Sequence, residues 1–139
     1  MHILDTDTLT HLQKGNELVK SRLAKAADDE FAVTIVTKAE ILRGRIEFLL
    51  KASDAVALER AQKYFSESEN LLEQIPIIKF DSESLKKFDE LRLTAKFRKI
   101  GRADLLIASI CLTRRAVLVT RNVKHFKQFP NLEVENWVD

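Results

Sequence analysis

The segment that decides the fold is GRADLLIASICLTRRAVLVT, residues 101–120. Its first part has apolar residues at helical spacing after Gly101, and it predicts a helix from Arg102 to Arg114. Its last part, AVLVT (116–120), is an apolar run without polar alternation, which is typical of a strand buried on both faces. A helix followed directly by such a strand indicates a parallel sheet covered by helices.

The same alternation of strands and helices continues on both sides of this segment. Further strands are predicted at HIL (2–4), FAVTIV (31–36), IPIIKF (75–80) and 132–134. Pro76 suits an edge strand or the start of a strand. Helices are predicted over 9–12, 16–27, 37–50, 54–72, 81–98 and 123–126. We therefore predict a single α/β domain over residues 1–139, with a central parallel β-sheet flanked by helices on both faces.

Composition excludes several classes of protein. Hydrophobic residues make up 45% and charged residues 32%, which is typical of a globular domain and not of a disordered chain. The single cysteine, Cys111, excludes a disulfide framework and a thiolate metal cluster, and its apolar surroundings predict a buried thiol. No apolar run is long enough for a membrane span, and Asp5 leaves no space for a signal peptide. We expect a cytoplasmic protein with no membrane partner.

The net charge of +2 conceals an uneven distribution along the chain. Residues 86–127 contain twelve basic and three acidic side chains, a net charge of +9, whereas the remainder carries −7. A basic C-terminal third on an otherwise acidic domain is a candidate surface for a polyanion. On charge alone, a solvated helix surface is the simpler interpretation.

Three acids and one amide follow predicted strands or begin the helices after them. Asp5 follows the first strand, Glu40 lies just after FAVTIV, and Asp104 lies in the first turn of the helix after Gly101. Asn122 follows AVLVT. Because the carboxyl ends of parallel strands meet at one edge of a sheet, these side chains are expected to converge there.

Each acid also has a purely structural interpretation. The segment TKAE (37–40) has the form of a capping box, in which Glu40 would bond to the backbone N–H of Thr37. Asp104 would complement the dipole of its helix, and Asp5 or Asp7 would cap the helix after the first strand. Helix capping does not require all of these acids at one sheet edge, so their joint placement favours a functional site.

Converging carboxylates favour a hard divalent cation. Mutual repulsion raises carboxylate pKa values unless a cation lies between the groups, and Mg²⁺ or Mn²⁺ with oxygen ligands would relieve it. Mg²⁺ commonly keeps several waters, so some of these acids would act through water. The histidines His2, His11 and His125 have no metal-ligand spacing among them. For the histidines we expect surface or packing roles.

Four segments in this order and spacing resemble the PIN-domain nucleases, and most closely the toxin ribonucleases of VapBC-type toxin–antitoxin modules. They are ILDTDTL (3–9), TKAEILRG (37–44), GRADLLIASICL (101–112) and VLVTRNVKHF (117–126). The resemblance extends over essentially the whole chain. It implies a Mg²⁺- or Mn²⁺-dependent endoribonuclease that acts on RNA, a cognate VapB-type antitoxin that blocks its site, and a homodimer, which is common in the family.

The resemblance also assigns roles to individual residues. By motif match, Asp5, Glu40 and Asp104 are the acidic catalytic and metal-site residues, and Thr6 and Thr120 support them. Asp7 is a further candidate near the site. Many members have a fourth acid where this chain has Asn122, which leaves open whether one or two ions bind.

The implied reaction is metal-assisted hydrolysis of a phosphodiester, in which Asp5 or Asp104 orients or deprotonates the attacking water. Basic side chains near the site would hold the RNA backbone. The candidates are Arg43, Arg45, Arg102 and Arg121.

Three alternatives remain open from the sequence. The chain could be a PIN nuclease that is not a toxin, or a catalytically silent PIN module that binds RNA or a partner. LDTDT (4–8) also resembles the opening motif of haloacid-dehalogenase-like phosphatases, with Asp5 as nucleophile and Asp7 as acid/base. Against this alternative, no acidic pair follows an apolar strand after Asn122.

Overall fold

The computed structural model describes residues 1–26 and 30–139. Five strands form a parallel sheet in the order β3-β2-β1-β4-β5. The strands are β1 (His2–Leu4), β2 (Phe31–Thr34), β3 (Ile77–Ile78), β4 (Val117–Val119) and β5 (Glu133–Glu135). The predicted α/β class with a parallel sheet is confirmed, and β3, directly after Pro76, lies at the sheet edge as expected.

Helices connect the strands, and a 3₁₀ turn at Ala95–Phe97 follows the fifth helix. The helices are α1 (Thr6–Gln13), α2 (Glu17–Lys25), α3 (Ile35–Leu50), α4 (Ala55–Gln74), α5 (Ser82–Leu93), α6 (Arg102–Arg114) and α7 (Val123–Phe126). The helix predicted over 102–114 is confirmed at both ends. Among the described residues, no helix is both long and apolar enough to cross a membrane.

Successive residues of the central strands belong to two different hydrophobic clusters. Ile3 and Leu118 pack with α6 and with Phe126 and Phe129. Their neighbours Leu4 and Val119 pack in the second cluster, which includes residues of α1–α4. Because side chains alternate across a strand, both faces of the sheet are covered, as the continuous apolar runs predict. Cys111 is fully buried in the first cluster, where burial raises the pKa of its thiol.

Two predicted boundaries are wrong for identifiable reasons. The FAVTIV strand ends at Thr34, because the Thr34 hydroxyl accepts a hydrogen bond from the Thr37 N–H (3.2 Å) and caps α3. The helix predicted to reach Arg98 ends at Leu93, where Thr94 takes an extended backbone. Phe97 in the following turn stacks on Phe129 with ring centroids 4.7 Å apart, so the chain leaves the helix to bury this ring. Ala27, the predicted end of α2, lies outside the described residues.

The strand order positions the ends of three strands beside one another. β1 lies between β2 and β4, and the chain leaves these strands into α1, α3 and the loop before α7. Ligands of open parallel sheets bind where neighbouring connections diverge at the carboxyl ends of the strands. The fold therefore places the residues after β1, β2 and β4 at the position where a site is expected.

Candidate active site

A cavity of about 440 Å³ opens at the carboxyl ends of these three strands. Four acidic side chains line it together with polar and apolar neighbours. The lining residues are Asp5, Thr6, Asp7, Glu40, Asp104, Ile107, Arg121, Asn122 and Phe126. The convergence of acids from distant parts of the sequence, expected from the parallel sheet, is present in the structure.

Asp5 is the most deeply placed of these acids and has 9% of its surface exposed. It is the N-cap of α1, where its Oδ1 accepts a hydrogen bond from the Thr8 N–H at 2.8 Å. Its Oδ2 accepts one from the Thr120 hydroxyl at 2.5 Å. The capping interpretation and the site interpretation of Asp5 are thus compatible, because one carboxylate both caps the helix and lines the cavity.

Burial raises the pKa of the Asp5 carboxyl above its ordinary value, and the nearby Asp7 carboxylate adds to this. The hydrogen bonds from Thr120 and Thr8 oppose the shift but do not cancel it. A buried carboxyl with a raised pKa beside other acids is the electrostatic condition that a cation would relieve.

Glu40 does not form the predicted capping box with Thr37. The Thr37 N–H donates to Thr34 instead, and Glu40 Oε1 accepts a hydrogen bond from the Thr6 hydroxyl at 2.6 Å. Thr6 Oγ1 is also 3.1 Å from Thr37 Oγ1. Glu40 is therefore hydrogen-bonded to Thr6, the residue that follows Asp5. This bond connects α3 with the start of α1 at the cavity.

Asp104 lies in the first turn of α6 and has a partner that we did not predict. Its Oδ2 accepts a hydrogen bond from His125 Nε2 at 3.0 Å. The lack of metal-ligand spacing among the histidines predicts a surface or packing role for His125, and residue spacing does not show which acid on another helix it will meet. Its position three residues after Asn122, in the connection that leaves β4, was the available indication.

The remaining polar candidates also lie at the cavity. Asn122 and Asp7 line it, and the backbone N–H of Asn122 donates to Thr120 Oγ1 at 3.1 Å. The Asp7 carboxylate is half exposed and lies 3.6 Å from His11 Nε2. Thr120 is fully buried, and its hydroxyl links Asp5 to the start of the loop after β4 through its hydrogen bonds with Asp5 and Asn122.

The four arginine candidates have different environments. Arg121 lines the cavity, and its Nε donates to Asp139 Oδ2 at 3.2 Å. Arg45 instead packs over the Tyr64 ring, with its Nε 2.9 Å from Ser68 Oγ. Arg102 lies over the Phe88 ring, and Arg43 is exposed on α3. The structure thus brings Arg121, but not the other three arginines, into the lining of the cavity.

The donor chemistry of the cavity fits a hard divalent ion that keeps part of its hydration shell. All four acids line a space large enough for bound water, and carboxylate oxygens are the ligands that such an ion prefers. In the two described ranges, no three His, Cys, Asp or Glu side chains are grouped closely enough to hold an ion directly. Mg²⁺ commonly takes one or two direct carboxylates and completes its shell with waters, so this arrangement is compatible with it.

Comparison with solved structures extends over almost the entire chain. VapBC2 from Rickettsia felis, solved with a promoter DNA fragment, is 30% identical with a TM-score of 0.78, covering 98% of each chain. VapBC-1 from nontypeable Haemophilus influenzae has a TM-score of 0.78 at 24% identity, covering 99% of this chain and 98% of that one. The latter likeness concerns the fold alone.

Curated proteins give related matches. Ribonuclease VapC2 of Rickettsia felis is 46% identical over 68 residues, which cover 48% of this chain and 51% of that protein. Ribonuclease VapC1 of Haemophilus influenzae (strain R2866) is 25% identical over 141 residues, which cover 99% of this chain and 98% of that protein.

The family description "PIN domain" matches residues 3–132, which include every acid of the cavity. This match decides between the two interpretations of LDTDT in favour of the nuclease-like domain over the phosphatase. It agrees with the parallel sheet and with the position of the acids at its carboxyl edge. The chain therefore belongs to the PIN-domain family.

Proposed function

We propose that residues 1–139 form one functional PIN domain that acts as a divalent-metal-dependent endoribonuclease, the toxin of a type II toxin–antitoxin pair. The observation that carries the proposal is the convergence of Asp5, Glu40 and Asp104 on one cavity at the strand ends. A relative that aligns with 99% of the chain is named a ribonuclease, and the solved structures that resemble the chain include VapBC complexes. The proposed site of action is the cytoplasm.

Asp5, Glu40 and Asp104 would hold Mg²⁺ or Mn²⁺, partly through water, with Asp7 and Asn122 as further oxygen donors at the rim. The bound ion would supply Lewis-acid stabilisation of the phosphodiester and a lowered pKa for water. Asp5, held by Thr8 and Thr120, would orient or deprotonate the attacking water. Thr6 would keep the Glu40 carboxylate aimed at the cavity.

The decisive test is cleavage of a defined single-stranded RNA by the purified protein. We expect EDTA to suppress cleavage at least about a hundredfold, because the four acids would then repel the phosphate without a cation between them. Added Mg²⁺ or Mn²⁺ should restore cleavage, measured as the rate of product formation on gels. Cleavage that continues undiminished in excess EDTA would contradict the metal-dependent mechanism.

RNA binding is expected to use Arg121 at the cavity. Arg121→Gln should weaken RNA affinity and lower the dependence of log Kd on log salt by about one unit, since one phosphate contact would be lost. The matched control is Arg92→Gln, which removes an exposed arginine paired with Asp89 on α5. Fluorescence anisotropy of labelled RNA over a salt series measures both. An equal loss in the two variants would show that Arg121 has no special part in binding.

The toxin assignment is tested separately in cells. Induced expression should arrest growth, and co-expression of a cognate VapB-type antitoxin should relieve the arrest. Persistent growth with active ribonuclease would indicate a PIN nuclease that is not a toxin. Whether the protein forms a homodimer remains a prediction, which its molar mass in solution would test.

A further inference from the structure

We propose that His125 is a positioning residue that holds the Asp104 carboxylate in the orientation needed to bind the divalent ion. The inference rests on the proposed function, because it assigns a residue to the metal site of that same cavity. His125 lies within the segment VLVTRNVKHF (117–126), but the resemblance assigned it no role. The role proposed for His125 rests on the contacts that its ring makes with Asp104 and Phe126.

The imidazole of His125 lies behind Asp104 and not among the residues that line the cavity. Its Nε2–H donates to Asp104 Oδ2 at 3.0 Å, which is within the normal range for an N–H···O hydrogen bond. About a quarter of the imidazole and a third of the Asp104 side chain are exposed. This contact is therefore partly protected from competing water.

The ring is itself held in place by its neighbours. It meets the Phe126 ring edge-on, with centroids 5.3 Å apart and an interplanar angle of 83°. Phe126 is almost completely buried and belongs to the core beneath the sheet. The Gln128 side chain donates to the His125 carbonyl at 3.0 Å, which supports the local backbone. These contacts restrict the orientations of the His125 ring.

A carboxylate with one oxygen fixed has fewer orientations to lose when a cation binds. Groups behind metal ligands usually contribute by this kind of orientation, and their loss typically costs about 10–100-fold in metal affinity. Asp104 has no other side-chain hydrogen bond among the described residues. His125 would therefore orient Asp104 and neither of the other two acids. Threonine hydroxyls hold Asp5 and Glu40 instead.

Three variants separate positioning from other roles. His125→Leu removes the donor, whereas His125→Gln keeps a side-chain N–H at a similar reach from the backbone. His11→Leu is the matched control, because His11 also faces a cavity acid, Asp7, but at 3.6 Å, beyond hydrogen-bonding distance. Thermal melting of the metal-free proteins monitors folding independently of metal.

The measurement is Mn²⁺ affinity, followed by electron paramagnetic resonance of free Mn²⁺ in the absence of RNA. We expect His125→Leu to raise the Kd for Mn²⁺ about tenfold or more, His125→Gln to recover most of the affinity, and His11→Leu to leave it unchanged. In RNA cleavage at limiting Mn²⁺, His125→Leu should lower kcat while the KM for RNA stays the same.

Several results would overturn the inference. The first is a Kd for Mn²⁺ in His125→Leu that equals the wild-type value. The second is a loss of Mn²⁺ affinity in His125→Gln or in His11→Leu that equals the loss in His125→Leu. The third is the absence of Mn²⁺ binding by the wild type. A nitrogen hyperfine coupling from an imidazole bound directly to Mn²⁺ would also overturn it. If the expected order of affinities holds but the wild type cleaves no RNA, the proposed function fails while the positioning role stands.

Discussion

Asp5→Asn is expected to abolish RNA cleavage while the domain remains folded. The substitution removes the charge of the most buried cavity acid but keeps an oxygen that can accept from the Thr8 N–H. A neutral amide neither binds a hard cation well nor accepts a proton from water, so we expect a loss of at least about a hundredfold in kcat. Asp104→Asn should have a comparable effect for the same reason. Single-turnover cleavage of labelled RNA measures both.

The metal-free Asp5→Asn variant should be more stable than the wild type at neutral pH, although its activity is lost. Burial raises the pKa of Asp5 in the folded protein, so the folded state binds this proton more tightly than the unfolded state does. Asp5 therefore stabilises the metal-free fold below its unfolded pKa of about 3.8, and this contribution is lost as the pH rises through the raised folded pKa. At neutral pH in EDTA, Asp5→Asn should melt at a higher temperature than the wild type.

These two measurements together distinguish a functional acid from a structural one. If Asp5 served only as a helix cap, its replacement by Asn, also a good capping residue, would leave activity nearly unchanged. Full activity in highly purified Asp5→Asn protein would therefore remove this residue from the catalytic machinery. A lower melting temperature in EDTA would show that the ionised carboxylate stabilises the fold.

Thr120→Val should lower kcat about 10–100-fold, the typical cost of losing a group that orients a metal ligand. The Thr120 hydroxyl donates to Asp5 Oδ2 at 2.5 Å and accepts from the Asn122 N–H at 3.1 Å. Valine has the same shape but can do neither. Because the Thr120 hydrogen bond lowers the Asp5 pKa, its loss should raise this pKa further. Activity at fixed metal concentration should then require a higher pH.

Two controls identify the hydroxyl as the cause. Thr120→Ser keeps the donor and should retain most of the activity. Thr113→Val removes a partly buried threonine hydroxyl on α6 that donates only to backbone carbonyls of its own helix, and it should leave kcat unchanged. Equal activity in Thr120→Val and the wild type would show that Asp5 does not depend on Thr120 for its orientation.

Local sequence was sufficient where local interactions decide the structure. The bounds of α6 follow from Gly101 and from the apolar run after it, and the parallel sheet follows from strands without polar alternation. The meeting of the acids at one cavity could also be predicted, because it requires only that parallel strands end at the same edge. The roles that we give to these acids remain predictions until the variants are measured.

Contacts between distant segments could not be predicted in the same way. The spacing of Thr37 and Glu40 satisfies the capping-box pattern, but the Thr6 hydroxyl, 34 residues from Glu40, is its partner instead. The contact of His125 with Asp104 likewise depends on where the connection after β4 places α7 relative to the start of α6. Such pairings are set by the packing of whole elements, and residue spacing within one element carries no information about them.

The pairing of Asp5 with Thr120 also has a consequence during protein synthesis. These residues are 115 positions apart, and β1 reaches β4 only after α6 has been made. A nascent chain that has not yet emerged past Thr120 therefore lacks the hydroxyl that donates to Asp5, although Asp5 was made 115 residues earlier. Since contacts of such long range are costly to close, the proposed activity should arise only after Thr120 has been made and β4 has paired with β1. A nascent chain that contains Asp5 but not yet Thr120 would thus lack a completed site.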